Sequence, residues 1–443
     1  MSAHKPMCID PLEAPLRGIV RMPGDKSISH RAVLFAAMAQ GTSRLSGVLD
    51  SDDVRASVHA VERLGARVSL EKMADGSLAG DIAGWGAAGP RVPDGPIDCG
   101  NSGTTARLLM GMLSSWDIEV ELTGDASLRR RPMRRVTAPL EKMGARFFPE
   151  GDATLPLTVR GTSAPHAVDY DSPVASAQVK TALLLAGIRA AGTTRITEPA
   201  PSRNHTELML PRFGVAVASE PGTVRVKGPA TMRACAIRVP GDPSSAAFPA
   251  CAAALVPGSA VRIEGVSLNP SRIGFVRVLE RMGVDAATRI DSHAGGEPAG
   301  AISVRYCDDL HACDVPAESI ASLIDEVPVL CLVAAYARGT TVFHGVSELR
   351  VKETDRIAGI IDGLSAIGVH AWMEGDDLHI EGNPGLSVPD GVEFASKGDH
   401  RLAMTWALVG FTGGASVRVA DFESVSVSYP GFLADIRSLE GGR

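Results

Sequence analysis

PGDKSISHRAVLFAAMAQGTSRL, residues Pro23–Leu45, joins a Pro-Gly turn to a polar start with Lys26, Ser27 and Arg31. An Ala/Leu-rich helix of about three turns follows, then Gly41 and a strand. The same plan returns as CGNSGTTARLLMGML from Cys99, SPVASAQVKTALLLAGIRAAGTTRI from Ser172 and PGDPSSAAFPACAAALVPGSAVRI from Pro240. It occurs again as IDEVPVLCLVAAYARGTTV from Ile324 and KGDHRLAMTWALVGFTGGASVRV from Lys397. Between copies runs a second, amphipathic helix that ends at a glycine, at Gly65, Gly144, Gly214, Gly283 and Gly368, before an alternating strand. The sixth copy is cut short after Tyr429-Pro430. Each unit is a βαβαββ piece too small to bury its own helix, so the fold expected is α/β with a sixfold internal repeat. Three units cluster into each of two similar domains. Pro23-Gly24-Asp25 and Pro240-Gly241-Asp242 open two units alike and mark the crossings, placing one domain at 24–240 and the other at 1–23 plus 241–443. The Gly/Ser stretches at 76–96 and 291–300 read as surface loops.

Composition bounds the function. The 443 residues are 45% hydrophobic and 21% charged, enough apolar material for large cores, and 44 Lys+Arg against 51 Asp+Glu give a net charge of −7. An acidic chain with 4% aromatics is a poor match to a nucleic acid or an anionic membrane, which leaves small molecules as partners. Seven cysteines (Cys8, Cys99, Cys235, Cys251, Cys307, Cys313, Cys331) form no C-x-x-C, and eleven histidines show no metal spacing, so no metal and no cofactor are expected. No apolar run approaches the ~18 residues of a membrane span, and Met1–Asp10 has no signal-peptide character. A cytoplasmic monomer is the expectation.

The polar residues concentrate where the first helices begin, beside unpaired backbone N–H groups and the positive end of the dipole. Lys26, Ser27 and Arg31 lie at one start, Asn101, Gly103 and Thr104 at another, Ser176, Gln178 and Lys180 at a third. Capping accounts for hydroxyls and amides there. It does not account for Lys26, Arg31 and Arg401, cations that oppose the dipole unless an anion neutralises them. Arg129–Arg135 holds five arginines in seven residues, with Arg131 directly before a helix that Pro132 starts. Arg350–Arg356 mixes cations and acids and places Lys352 and Arg356 four apart on one helical face. Asp325-Glu326 opens an apolar helix over Val327–Ala335.

Pro23-Gly24-Asp25-Lys26-Ser27-Ile28-Ser29-His30-Arg31, Gly100-Asn101-Ser102-Gly103-Thr104-Thr105, Ser176-Ala177-Gln178, Arg350-Val351-Lys352-Glu353-Thr354-Asp355-Arg356 and Gly398-Asp399-His400-Arg401 together resemble the 5-enolpyruvylshikimate-3-phosphate synthases. The resemblance covers nearly the whole chain. It implies two similar domains of three βαβαββ units, an inside-out α/β barrel with its active site in the interdomain cleft. The implied reaction moves the enolpyruvyl group of phosphoenolpyruvate to the 5-hydroxyl of shikimate 3-phosphate and releases phosphate, as part of chorismate and aromatic amino-acid biosynthesis.

By the same resemblance Lys26, Ser27, Arg31, Ser176, Gln178, Arg203, Asp325 and Lys352 hold shikimate 3-phosphate, with Arg31 on its carboxylate and Ser176, Arg203 and Lys352 on its phosphate. Lys26, Asn101, Gly103, Thr104, Arg131, Gln178, Arg356 and Arg401 surround phosphoenolpyruvate. Lys26, Asp325 and Glu353 are the implied catalytic residues. Charge agrees: the two substrates bring roughly −5 to −6, and Lys26, Arg31, Arg131, Arg203, Lys352, Arg356 and Arg401 supply seven cations without a metal. Three departures resemble a divergent bacterial subclass: Val427 where many members have Lys, Ala177 within Ser-Ala-Gln, and Leu108. Gly103 remains Gly, which implies sensitivity to glyphosate. The rival readings are a UDP-N-acetylglucosamine enolpyruvyl transferase, disfavoured by Lys26-Ser27 and by the absence of any Cys between Cys99 and Cys235, and a non-catalytic anion-binding homologue, disfavoured by Asp325 and Glu353.

Overall fold

A computed structural model describes residues 5–149 and 153–442; residues 1–4, 150–152 and 443, inside the expected domain spans, lie outside the described residues. Internal contacts divide the chain into Met1–Pro23, Gly241–Ser292 and Pro298–Arg443 as one unit, and Gly24–Pro240 with His293–Glu297 as the other. Each unit has its own apolar core.

The unit containing Gly24–Pro240 holds three four-stranded sheets, ordered Ala236–Arg238, Thr42–Val48, Leu78–Ala83, Arg67–Lys72 in the first. Ile97–Asp98, Glu119–Thr123, Leu157–Arg160, Arg146–Phe148 and Asp169–Asp171, Gly192–Thr197, Thr223–Gly228, Val217–Glu220 repeat that order. In each sheet the first two strands are parallel and the remaining pairings antiparallel. In the second and third of these sheets a helical crossover joins the parallel pair, and the last pairing joins strands consecutive in sequence. The other unit repeats the pattern twice, then ends in a three-stranded sheet of Glu393–Ala395, Val417–Ala420 and Met7–Ile9, its sixth copy shortened as the sequence indicated. Among the described residues the six sheets are separate, and none closes into a barrel.

Helices lie inside. All thirteen residues of Pro243–Leu255 and all nine of Val327–Ala335 are buried, which explains why these segments are apolar all round. The intervening helices bury one stripe and stop at Gly65, Gly144, Gly214, Gly283 and Gly368, all at positive φ.

The paired Pro-Gly-Asp segments exchange first strands. Arg17–Arg21 pairs with Ala260–Ser267, and Ala236–Arg238 with Thr42–Val48, so each unit's opening strand comes from the other end of its crossing. The Asp25 N–H donates to Pro240 O at 2.8 Å in one unit, and the Asp242 N–H donates to Pro23 O at 2.9 Å in the other.

The loop readings need correction. Residues 291–300 are the tip of a hairpin of Ala286–Ala294 and Glu297–Arg305, turned by Gly295 and Gly296 at φ 61° and 95°. Two successive positive φ values fit the twist of a tight hairpin, a form that a Gly-Gly pair signals as well as a loop. Within 76–96 lies the strand Leu78–Ala83. No helix among the described residues is long and apolar enough to cross a membrane.

Candidate active site

Asp25 caps the Lys26–Met38 helix, its carboxylate accepting the Ile28 N–H at 2.7 Å. Lys26 is thereby the first helical residue, and its Nζ reaches Asp53 Oδ2 at 3.1 Å. Ser27 follows it, half-buried, and its carbonyl accepts from Arg31 Nη1 at 2.9 Å. Arg31 stands in the second turn rather than the first and is 3% exposed. Its Nε donates to Thr206 Oγ1 at 2.8 Å and its Nη2 to Thr181 Oγ1 at 2.9 Å. Burial lowers the Arg31 pKa to about 10, with Glu207 and Asp25 opposing the fall and Arg203 adding to it. The guanidinium stays charged at neutral pH.

Ser102 caps the Gly103–Ser114 helix. Just before it, Asn101 Nδ2 donates to Asp125 Oδ2 at 2.7 Å and Asn101 Oδ1 accepts from Arg131 Nη2 at 2.8 Å, which aligns Arg131 with the helix start. Arg131 ends a short 3₁₀ turn, and the following helix starts at Arg134, two residues beyond the expected Pro132. Gln178, in the first turn of the Ala177–Gly187 helix capped by Ser176, links the set: its Nε2 donates to Thr104 Oγ1 at 3.1 Å, and its Oε1 accepts from Arg107 Nη1 at 2.8 Å. Arg203, half-buried, precedes the short His205–Met209 helix.

In the other unit four elements meet on one side chain. Arg356 is 1% exposed and begins the Arg356–Ala366 helix. Its Nε donates to Asp399 Oδ2 at 2.8 Å, Nη1 to Asp325 Oδ1 at 3.1 Å, and Nη2 to Glu353 Oε2 at 2.7 Å. Burial works against this cation, but Glu353, Asp399 and Asp325 outweigh it and hold its pKa above the ordinary arginine value. Asp325 sits two residues ahead of the Val327–Ala335 helix, where the sequence placed it. Lys352 does not share a helical face with Arg356: it ends a 3₁₀ turn in extended conformation, and the helix begins only at Arg356. Asp399 caps the His400–Thr412 helix, accepting from the Arg401 N–H at 2.8 Å. Arg401 is 5% exposed, and neither its Nε nor its Nη1 has a hydrogen-bond partner among the described residues. A buried guanidinium left so is costly unless a ligand completes it. Val427 ends the 3₁₀ turn Phe422–Val427.

The charge balance shifts accordingly. In one unit Asp53 lies 3.1 Å from Lys26, and in the other Asp325, Glu353 and Asp399 lie within 3.1 Å of Arg356. Sequence reasoning missed Arg107, Asp53 and Asp399. Arg107 was findable, a lone arginine in an apolar helix one turn beyond Gly103. Asp53 and Asp399 read as ordinary first-turn and capping acids, and nothing local announces which cation they meet.

Helix starts that gather cations and hydroxyls, and acids ranged on a buried arginine, on a repeated α/β frame, define an enzyme class for small anionic substrates. The enolpyruvyl transferase NikO from Streptomyces tendae has this fold, at a TM-score of 0.76 over 98% of this chain and 97% of that one, with 17% identity. The chain belongs to the EPSP synthase (3-phosphoshikimate 1-carboxyvinyltransferase) family, whose pattern matches residues 12–436. It is 47% identical over 429 residues to the 3-phosphoshikimate 1-carboxyvinyltransferase of Acidiphilium cryptum, covering 96% of this chain and 95% of that one. The Rhodospirillum rubrum enzyme of the same name is 45% identical over 424 residues, covering 95% and 94%. The solved EPSP synthase from Acinetobacter baumannii superposes with a TM-score of 0.87 at 38% identity, covering 98% of each chain.

Proposed function

We propose that this chain transfers the enolpyruvyl group of phosphoenolpyruvate to the 5-hydroxyl of shikimate 3-phosphate through the residues described above. Lys26, Ser27, Arg31, Ser176, Gln178, Arg203, Asp325 and Lys352 take shikimate 3-phosphate. Lys26, Asn101, Gly103, Thr104, Arg131, Gln178, Arg356 and Arg401 take phosphoenolpyruvate. The observation that carries the assignment is the convergence of Asp325 and Glu353, from separate elements, on the one buried guanidinium of Arg356. That cation orients both acids for proton transfer.

In the addition step the O5–C2 bond forms, the O5 proton passes to Asp325, and C3 receives a proton from the protonated carboxyl of Glu353, aided by Lys26. In the elimination step the C2–O bond to phosphate breaks, phosphate leaves, and C3 returns a proton to the carboxylate of Glu353. Arg401 and Arg131 stabilise the carboxylate and the departing phosphate, a task for fixed cations. Phosphate release with Asp325→Ala tests the assignment: a fall of at least 100-fold in kcat, in line with the loss of a positioned acid–base group, is expected. Turnover near that of the unaltered chain removes Asp325 from the mechanism.

A further inference from the structure

Below the residues assigned to shikimate 3-phosphate lies a buried charge cluster that the mechanism does not use. Lys180 is 4% exposed, and its Nζ lies 2.8 Å from Glu198 Oε2 and 2.8 Å from Glu207 Oε1. Two carboxylates on one ammonium, all buried, form an expensive arrangement; apolar residues of similar volume usually serve stability as well or better. Its connections are specific. Glu198 Oε1 accepts the Ser176 N–H at 2.9 Å, and Glu198 Oε2 accepts the Ser202 hydroxyl at 2.9 Å. Lys180 Nζ also reaches the Ser202 carbonyl at 3.4 Å. One cluster therefore holds the cap residue Ser176 and the loop that leads straight into Arg203.

The residues next to the cluster hold the third group. Thr181 follows Lys180, and Thr206 precedes Glu207. Their hydroxyls are 2.6 Å apart, and each accepts from Arg31. With the Ser27 carbonyl they engage three of the five guanidinium N–H groups, leaving one on each terminal nitrogen, the pair a carboxylate can accept in parallel. The Lys180–Glu207 bridge ties the Ala177–Gly187 helix to the His205–Met209 helix, and so fixes the distance between the two threonines that aim Arg31. A five-residue helix has little stability of its own to hold that register.

We propose that Lys180 is a positioning residue for the shikimate 3-phosphate side of the site: gripped by Glu198 and Glu207, it sets Ser176, the Ser202–Arg203 loop and, through Thr181 and Thr206, the Arg31 fork. This rests on the reading of Ser176, Arg203 and Arg31 as shikimate 3-phosphate residues. Among the described residues, no hydrogen bond or ion pair joins Lys180, Glu198 or Glu207 to a residue assigned to phosphoenolpyruvate alone.

The test is a split between the two Michaelis constants, which a merely structural bridge would not produce. Lys180→Met is expected to raise KM for shikimate 3-phosphate at least tenfold while KM for phosphoenolpyruvate stays within twofold, and Lys180→Arg, which can still span both acids, should restore most of the loss. Because Lys180→Met leaves two unpaired buried acids and can fail to fold, Glu198→Gln serves beside it. The amide oxygen still accepts the Ser176 N–H but removes half of the grip, and a threefold or larger rise confined to shikimate 3-phosphate is expected. Both constants rising together, or no rise in a folded Glu198→Gln variant, overturns the proposal. Ser176→Ala and Arg203→Ala separate the layers. If these leave KM for shikimate 3-phosphate unchanged, the placement of that substrate fails and the proposal with it. If they raise it while the Lys180 and Glu198 variants do not, only the positioning role fails.

Discussion

An alanine at Gly103 separates stability from function. Its Cβ would stand 2.7 Å from Arg107 Nη1 and 3.5 Å from Arg131 Nη1. Ordinary contact begins near 3.4 Å, so the Arg107 guanidinium has to retreat by about 0.7 Å. The backbone does not resist, since Gly103 opens a helix and is not at positive φ, and alanine is the better helix former by up to about 1 kcal/mol. The retreat acts on the 2.8 Å bond from Arg107 Nη1 to Gln178 Oε1, and Gln178 in turn orients Thr104. A hydrogen bond to a charged group contributes about 1.5–3 kcal/mol, which corresponds to about 10- to 100-fold in kcat/KM. The assay is phosphate release at varied phosphoenolpyruvate with saturating shikimate 3-phosphate, with calorimetry alongside. Gly103→Ala is expected to keep or raise Tm while kcat/KM for phosphoenolpyruvate falls by that factor. A value within twofold of the unaltered chain, or a clear drop in Tm, refutes the reasoning.

Three further outcomes follow from buried groups. Arg401→Met removes an unpaired buried cation, so urea unfolding should show the ligand-free chain more stable by about 1–3 kcal/mol, while the stabilisation that phosphoenolpyruvate confers disappears. Burial above all, then Lys26 and Arg31 against Asp53 and Asp25, holds His30 down from 6.5 to about 3. The unfolded chain takes that proton first, so stability is full above pH 6.5 and declines below it by at most about 1.4 kcal/mol per pH unit until near pH 3. His30→Gln should flatten Tm against pH between 6.5 and 4, and an unchanged slope contradicts the role of His30. Burial raises the Cys99 thiol to about 12 and carries Cys251 and Cys331 higher still, whereas Cys8 is exposed. A thiol reagent at pH 8 should label Cys8 in the folded chain and those three only on unfolding.

The repeat was legible because it is written twice over, in helix starts of one polar pattern and in glycines that stop the second helices at Gly65, Gly144, Gly214, Gly283 and Gly368. Apolar helices such as Val327–Ala335 announced their burial by having no polar face. What sequence hid was pairing at a distance. The exchange of Arg17–Arg21 and Ala236–Arg238 follows from a crossing whose hydrogen bonds join residues more than 200 positions apart. The four-residue spacing of Lys352 and Arg356 read as one helical face, yet the Asp355 side chain caps the chain at that point, accepting the Ala358 N–H, and starts the helix only afterwards. Lys26 was visible as a dipole-opposing residue and Arg356 as part of a run of mixed charge. Their partners Asp53 and Asp399 were not, because capping acids are common and only the fold decides which cation they face.

The most direct test of the transferase reading is phosphate release from phosphoenolpyruvate measured with each acceptor in turn. With shikimate 3-phosphate the chain is expected to release one phosphate per acceptor consumed, and with UDP-N-acetylglucosamine none. Release with UDP-N-acetylglucosamine, or none with shikimate 3-phosphate, would contradict the account.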